Sequence, residues 1–268
     1  MMKKILALVT ITALLFGALF TLGAADDLTG HWAGTEIRRM EALGVFARTG
    51  EDYEPTRVVT RGEFVKMLLT AAGYTAEGEN IRSARTNFRD VGRDHEYNGY
   101  MTLAVELGLI EAEPGDFVYP DAPMTRAQGA GMVLTLMENL GDMTYPVSNF
   151  SDRESLTEEE GHVADGAAHL GILYFENSEV NAFTPGAELT RAEALVMIHN
   201  YLRSLGRLYD YIGSVTGVGE GTIEALVLGK NTTFLTYEGT LRVPPVGSRV
   251  GFILDNAGRL VDYDVLER

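Results

Sequence analysis

Three stretches of the chain place apolar residues at the spacing of one helical face. In the first, Ile37, Met40 and Leu43 recur every three residues, which is typical of an amphipathic α-helix. Gly44 follows them, and glycine ends a helix readily because it adopts the left-handed C′ conformation without a Cβ clash. A Leu-Gly pair also ends the other two stretches, so helices are predicted over residues 31–43, 95–107 and 158–170.

A second helix in each unit is predicted from a Thr-Arg pair. Thr60 lies three residues before Glu63, which is the spacing of a capping box, in which both side chains accept hydrogen bonds from backbone N–H groups at the helix start. The apolar run "FVKMLL" follows and predicts a helix that faces a core. The same pattern recurs at 65-residue intervals, at Thr125 with Gln128 and at Thr190 with Glu193.

The fixed interval indicates an internal repeat. One helical hairpin cannot bury its own apolar face, so the three units are expected to pack together. Methionines seven residues after each threonine are predicted to pack in the core, at Met67, Met132 and Met197.

The period of the pattern changes in the last part of the chain. Val261, Tyr263 and Val265 alternate with Asp262 and Asp264, as in a half-buried β-strand. The runs "TIEALVL", "TTFLTY" and "RVGFIL" are separated by glycine-rich turns, which together predict a small all-β, barrel-like module. The chain as a whole is predicted to be mainly α, with repeats at 26–80, 81–145 and 146–208 and the β-module at 209–268.

The first 25 residues have the pattern of an export signal. Lys3 and Lys4 precede an uncharged apolar run over residues 5–22, and the small residues 23–25 follow it. This order predicts a secretory signal peptide that is cleaved from the mature protein. The alternative is a retained membrane anchor, because the run is nearly long enough to span a bilayer. No membrane span is expected after cleavage.

Composition excludes several classes of function. Asp and Glu total 38 against 22 Lys and Arg, which gives a net charge of −16, so nonspecific binding to nucleic acid or to an anionic membrane is not expected. The chain has no cysteine, which excludes a disulfide framework and cysteine-zinc sites. The five histidines show no metal-ligand spacing, and no Ser-His-Asp order is present. No cofactor, metal or catalytic residue is predicted.

The arginine after each capping threonine is the residue that helix stability does not explain. A cation in the first helical turn faces the positive end of the helix dipole, which is mildly unfavourable. Two alternatives explain its recurrence. It pairs with a carboxylate of a neighbouring repeat, or its planar guanidinium holds a carboxylate of a ligand. Both can hold together, if an acid orients the arginine toward the ligand.

These motifs resemble those of the S-layer homology (SLH) domain. The resemblance rests on "HWA" at 31–33, the Leu-Gly pairs, the aromatic-x-Pro loops and "LTRAE" at 189–193, together with "FRD" at 88–90 and "FSD" at 150–152. It covers roughly residues 26–206. It implies three repeats in a pseudo-threefold spindle of helices, with grooves that bind secondary cell wall polysaccharide, often through the carboxylate of a pyruvate ketal.

The resemblance also implies which residues contact the polymer. The arginine of the motif is a principal contact in the family, and an aspartate near the start of each repeat and the tryptophan of the His-Trp pair help to form the groove. The implied residues are Arg61, Arg126, Arg191, Trp32, Asp27, Asp90 and Asp152.

The chain departs from the family pattern at several positions. Trp32 is the only tryptophan, and the matching positions of repeats 2 and 3 are Glu96 and about Glu159. Repeat 2 has Gln128 where the motif ends in glutamate. The three grooves are therefore expected to be unequal.

The sequence predicts a non-enzymatic protein of the bacterial cell surface. It would be anchored noncovalently to a secondary cell wall polysaccharide or another peptidoglycan-linked polymer. The alternatives are an adaptor whose β-module docks an unknown surface component, and a wall-glycan enzyme.

Overall fold

The fold was analysed in a computed structural model, which describes residues 26–48, 50–82, 88–141, 143–173, 181–236, 243–254 and 257–267. The predicted signal sequence at 1–25 lies outside these ranges. Within them, no helix has the length and apolar character needed to cross a membrane.

Seven α-helices occur in the described residues, and six of them form the three predicted pairs, one pair in each repeat. An additional helix, α3, was not predicted; it crosses the predicted boundary between repeats 1 and 2 and packs on Tyr100 of repeat 2. The helices are α1 (Gly34–Ala42), α2 (Arg61–Ala72), α3 (Thr75–Arg82), α4 (Asn98–Glu106), α5 (Arg126–Glu138), α6 (Glu158–Leu170) and α7 (Arg191–Ser204).

The predicted capping boxes are confirmed at the starts of α2, α5 and α7. In α7, the Thr190 hydroxyl accepts a hydrogen bond from the Glu193 N–H, and the Glu193 carboxylate accepts one from the Thr190 N–H. The predicted glycine stops are confirmed as well, because Gly44, Gly108 and Gly171 all have positive φ. A fourth capping box, at Thr157 and Glu160 before α6, was not predicted.

Backbone hydrogen bonds join the three repeats in a closed ring at the centre. The Val59 N–H donates to the Leu189 carbonyl at 3.0 Å, the Leu189 N–H to the Met124 carbonyl at 2.8 Å, and the Met124 N–H to the Val59 carbonyl at 3.0 Å. Each of these residues directly precedes a capping threonine. The ring therefore fixes the starts of α2, α5 and α7 relative to one another.

The helices α2, α5 and α7 pack tightly around this ring. A Cβ on Gly129 of α5 would lie 2.7 Å from Leu189 Cδ1 and 3.2 Å from Phe64 Cζ. Those neighbours belong to the other two repeats, so glycine allows the three units to approach closely. The predicted packing role of the repeated methionines is confirmed, since Met67, Met132 and Met197 are all buried.

The C-terminal part forms a five-stranded antiparallel sheet with the order β3-β2-β1-β4-β5. Among the described residues, the two edges of the sheet meet at a bridge between Thr236, which follows β3 directly, and Leu260, the first residue of β5. Strand β1 was not predicted. The strands are β1 (Tyr211–Gly219), β2 (Thr222–Val227), β3 (Lys230–Leu235), β4 (Arg249–Leu254) and β5 (Leu260–Glu267).

The prediction of a mainly α chain is wrong. The described residues combine the seven helices with the five-stranded sheet, and the three repeats are joined at their centre by β-bridges. Two physical reasons account for the error. The outer helices α1 and α4 are shorter than their apolar patterns suggested, because their first turns are irregular. The loops before α2, α5 and α7 are extended segments that pair with one another across repeats.

A buried ion-pair cluster fixes the sheet to repeat 1. Arg39 of α1 is 6 % exposed and donates to the carboxylates of Asp262 and Asp264 on β5. Tyr209 also donates to Asp264, at 2.8 Å, and Nη1 of Arg39 lies 3.5 Å from Nε2 of the buried His199. The sheet and the repeats are therefore joined by charge as well as by apolar contact.

Candidate functional site

Each repeat carries a strained turn shortly before its inner helix. The residues at the turn have left-handed backbones with φ near +50°, although none is glycine. Such conformations are uncommon for residues with a Cβ and persist only where the surroundings hold them. The three residues are Glu54, Tyr119 and Thr184.

The aspartates implied by the resemblance hold these turns. The carboxylate of Asp90 accepts hydrogen bonds from the N–H groups of Val118, at 3.1 Å, and of Tyr119, at 2.6 Å. The same pair of bonds recurs in the other repeats, so the role of each aspartate is to fix the turn. Asp27 accepts from Tyr53 and Glu54, and Asp152 accepts from Phe183 and Thr184.

The electrostatics of Asp152 reflect this arrangement. Burial by itself would raise the pKa of the Asp152 carboxyl. The hydrogen bonds from the N–H groups of Thr184 and Phe183, helped by the charge of Arg126, outweigh burial and hold the pKa below its usual value. The carboxylate therefore stays ionised.

The repeated arginines reach across to the turn of the next repeat. Nη1 of Arg61 donates to the carbonyl of Val118 at 3.2 Å. We call this contact region junction 1–2, after the repeats that it joins. The equivalent bonds are Arg126 to Phe183 at 2.8 Å, at junction 2–3, and Arg191 to Tyr53 at 2.8 Å, at junction 3–1.

Two of the arginines also pair with the capping-box glutamate of that next repeat. Nη2 of Arg126 lies 3.3 Å from Oε1 of Glu193, and Nη2 of Arg191 lies 3.5 Å from Oε1 of Glu63. Arg191 has a further acid at 3.3 Å, in Glu54. The internal ion pair that was one of the two sequence alternatives is therefore present at two junctions.

Junction 1–2 differs because its capping box ends in a glutamine. Gln128 occupies the position of Glu63 and Glu193 and has no charge. Within the described part of the chain, Arg61 makes no ion pair, and its buried Nε has no hydrogen-bond partner. The change from glutamate to glutamine is visible in the sequence. Its effect on Arg61 could not be predicted from the sequence, because the arginine of one repeat lies beside the capping box of the next only in the folded chain.

An exposed aromatic side chain also lies at junction 1–2. Tyr119 follows Val118 directly, is 41 % exposed and stacks on Phe117 with ring centroids 5.8 Å apart. Tyr119 was not among the residues predicted from the sequence. The sequence feature that marks Tyr119 is the "FVYP" loop. Tyr119 is aromatic, whereas the equivalent residues of the other repeats are Glu54 and Thr184.

Trp32 lies at the start of repeat 1, before α1. It is half-buried, packs against the main core and stacks on His31 with ring centroids 5.5 Å apart. The matching residue of repeat 2, Glu96, lies 3.8 Å from the Lys66 ammonium. Trp32 is thus a partly accessible core residue at the start of repeat 1.

The described residues show no group of three or more acidic, histidine or cysteine side chains that could hold a metal ion. Two of the histidines have local roles at helix starts instead. Nδ1 of His31 accepts a hydrogen bond from the Ala33 N–H, and Nδ1 of His95 accepts one from the Tyr97 N–H.

Comparison with known families decides the identity of this arrangement. The S-layer homology domain model matches residues 26–65 and 87–130. The chain therefore carries SLH domains. The match covers the first two repeats of this SLH protein. In the third, Thr190, Arg191 and Asp152 repeat the same geometry, and its assignment as a further SLH repeat stays a prediction.

Similar proteins include an exoglucanase, an amylopullulanase and a cell surface protein, each of which this chain matches over a small part of its length. Exoglucanase XynX of Acetivibrio thermocellus is 28 % identical over 68 % of this chain and 16 % of its own length. Amylopullulanase of Thermoanaerobacterium thermosulfurigenes is 31 % identical over 68 % of this chain and 10 % of its own length. A cell surface protein of Thermoanaerobacter kivui is 25 % identical over 58 % of this chain and 21 % of its own length. The SLH chain thus spans a small part of these relatives.

These findings confirm the predicted location. The SLH chain is an exported protein of the bacterial cell surface, and the general role of its SLH domains is attachment to the cell wall.

Proposed function

We propose that this chain is a non-enzymatic anchor that binds an anionic secondary cell wall polysaccharide at the junctions between its repeats. The observation that carries the proposal is the set of three equivalent arginines, each held by a loop carbonyl of the neighbouring repeat at 2.8–3.2 Å. That bond uses one nitrogen of a guanidinium with five N–H donors. The remaining donors suit a carboxylate, as in a pyruvate ketal.

The three turns support the same proposal. Non-glycine residues with a strained, positive φ cluster at functional sites. Here a residue with φ near +50° recurs beside each arginine. The aspartates tie each turn in place, so that the loop carbonyl is presented to the arginine. The arginine is therefore oriented before any ligand arrives, which lowers the entropy cost of binding.

The relatives support an attachment role rather than catalysis. The relatives are named as an exoglucanase, an amylopullulanase and a cell surface protein, so their names describe different proteins. Each of them resembles this chain over a small part of the relative's own length. A segment common to such different proteins is suited to a shared task such as anchoring.

One arginine is insufficient for tight binding. A charge-assisted hydrogen bond contributes about 1.5–3 kcal/mol, whereas micromolar affinity needs about 8.2 kcal/mol. Sugar hydroxyl bonds, ring packing and several junctions on one polymer chain would supply the rest.

Co-sedimentation with purified cell walls tests this proposal. The mature chain is expected to sediment with intact walls, and to stay in the supernatant when the secondary polymer has been extracted. Walls whose polymer lacks the pyruvate ketal are expected to bind about tenfold less, because the carboxylate contact is lost. Equal sedimentation with intact and extracted walls would refute polymer binding.

A further inference from the structure

We propose that junction 1–2 is the primary anion site of the chain, and that Gln128 and Tyr119 make it so. This inference rests on the proposed function, because it ranks the junctions within that function. It does not follow from the repeat motif, which gives the same arginine to all three.

The junctions differ in the charge that is already present beside the arginine. At junctions 2–3 and 3–1 the arginine lies within 3.5 Å of a glutamate, so an incoming carboxylate must compete with an internal one. At junction 1–2 the corresponding residue is the neutral Gln128. Among the described residues Arg61 therefore keeps its full charge for a ligand.

The junctions also differ in the residue at the strained turn. At junction 3–1 it is Glu54, whose carboxylate lies 3.3 Å from Arg191 and would repel an anionic sugar. At junction 1–2 it is Tyr119, which is exposed and backed by the ring of Phe117. An exposed aromatic ring offers an apolar face with a polar end, which suits a sugar ring next to its carboxylate.

Gln128 and Tyr119 lie in different elements, so the two differences at junction 1–2 are independent. Gln128 lies in the first turn of α5, whereas Tyr119 lies in the loop before it. Both change the same junction in the same direction, toward an anionic carbohydrate. Junction 3–1 has the opposite combination, with two glutamates near its arginine.

The last residue of the capping box can be changed between glutamine and glutamate without loss of the cap. Gln128→Glu restores the residue that caps α2 and α7, so the capping box is kept. Glu193→Gln is the matched reverse change at junction 2–3, since glutamine already serves as the capping residue of α5. Thermal unfolding of each variant checks that the fold is intact.

The probe is a synthetic glycoside that carries a pyruvate ketal, with its methyl ester as the neutral control. Titration calorimetry of the full mature chain is expected to show a tightest site that Arg61→Gln removes. Gln128→Glu is expected to weaken that site about fivefold, as an exposed ion pair would, with little change for the ester. Glu193→Gln is expected to leave it intact and to strengthen a second site.

Two results would overturn the inference. One is an equal loss of the tightest site in Arg126→Gln or Arg191→Gln, and the other is unchanged affinity in Gln128→Glu. Either result, with walls still bound by the wild-type chain, refutes the ranking of the junctions and leaves the anchor function standing. Failure of the wild-type chain to bind both the glycoside and the walls would refute the anchor function itself.

Discussion

Replacing Arg39 with methionine is expected to lower the free energy of unfolding by about 3–5 kcal/mol, because it removes one partner of a buried charge cluster. Arg39 is 6 % exposed and donates to both Asp262 and Asp264. Without it, two carboxylates remain in a partly buried setting, in a chain whose net charge is already −16.

The neighbouring arginine provides a matched control for this prediction. Arg38 pairs with Asp26 at 2.8 Å, but its side chain is 47 % exposed, so Arg38→Met is expected to cost about 0–1 kcal/mol. Urea unfolding followed by circular dichroism measures both. Equal, small losses in the two variants would contradict a cluster that fixes the sheet to the repeats.

A second set of variants separates the lost ion pair from lost packing. If the cost arises from unpaired carboxylates, changing Asp262 and Asp264 to asparagine in the Arg39→Met background should recover part of the lost stability. Replacing a whole buried ion cluster is often far less costly than removing one member. No recovery would indicate that the side-chain volume of Arg39, and not its charge, matters.

The stability of the chain is also expected to fall as pH drops from about 6.5 to 4, because of His199. Burial, with the charges of Arg39 and Arg203 acting in the same direction, lowers the pKa of this histidine to about 4, against 6.5 for an unperturbed one. The unfolded state therefore binds a proton first as pH falls. The stabilising effect is complete above pH 6.5 and is lost progressively toward pH 4.

The size of this loss follows from the pKa difference. Each unit corresponds to about 1.36 kcal/mol, so the loss approaches about 3 kcal/mol across the window. Nε2 of His199 lies 3.5 Å from Nη1 of Arg39, and Nδ1 lies 3.2 Å from Oδ1 of Asn200. A neutral ring can accept from Arg39 and donate to Asn200, whereas a protonated ring would face Arg39 with a second positive charge.

Urea unfolding of the wild-type chain and of His199→Gln at several pH values measures the effect. The slope of unfolding free energy against pH between 6.5 and 4 should be smaller in the variant. Burial by itself would raise the pKa of the Asp264 carboxyl, but the hydrogen bonds and charge of Arg39 outweigh burial and hold this pKa below its usual value. The contribution of Asp264 to stability is therefore lost at lower pH than that of His199. Identical slopes in the two proteins would contradict the assignment to His199.

Local patterns predicted the parts of the fold that depend on neighbouring residues. The capping box at Thr190 and Glu193 spans four residues and the stop at Gly171 one, so both could be found from sequence. Strand β1 could not, because "YIGSVTGVG" contains three glycines and glycine is depleted in strands. The ring through Val59, Met124 and Leu189 uses single backbone bonds, which carry no side-chain signature.

The candidate site shows the same division. The three arginines could be found from the sequence, because a cation recurs at a fixed interval in the first turn of a helix, where the helix dipole disfavours it. The pairing of Arg126 with Glu193 joins residues 67 positions apart, and it depends on which repeat lies beside which. The contact of Arg39 with β5 spans more than 220 positions, and Arg39 itself looked like an ordinary charged residue of a helix.

The most direct test of the account is a titration of purified, pyruvylated wall polymer with the mature chain and with its Arg61, Arg126, Arg191→Gln triple variant. Glutamine keeps a donor for the loop carbonyl and removes the charge. The account predicts saturable binding by the wild-type chain and its loss in a variant whose melting temperature shows that it is folded. Equal binding by the two proteins would contradict the claim that the junction arginines anchor this chain to the wall.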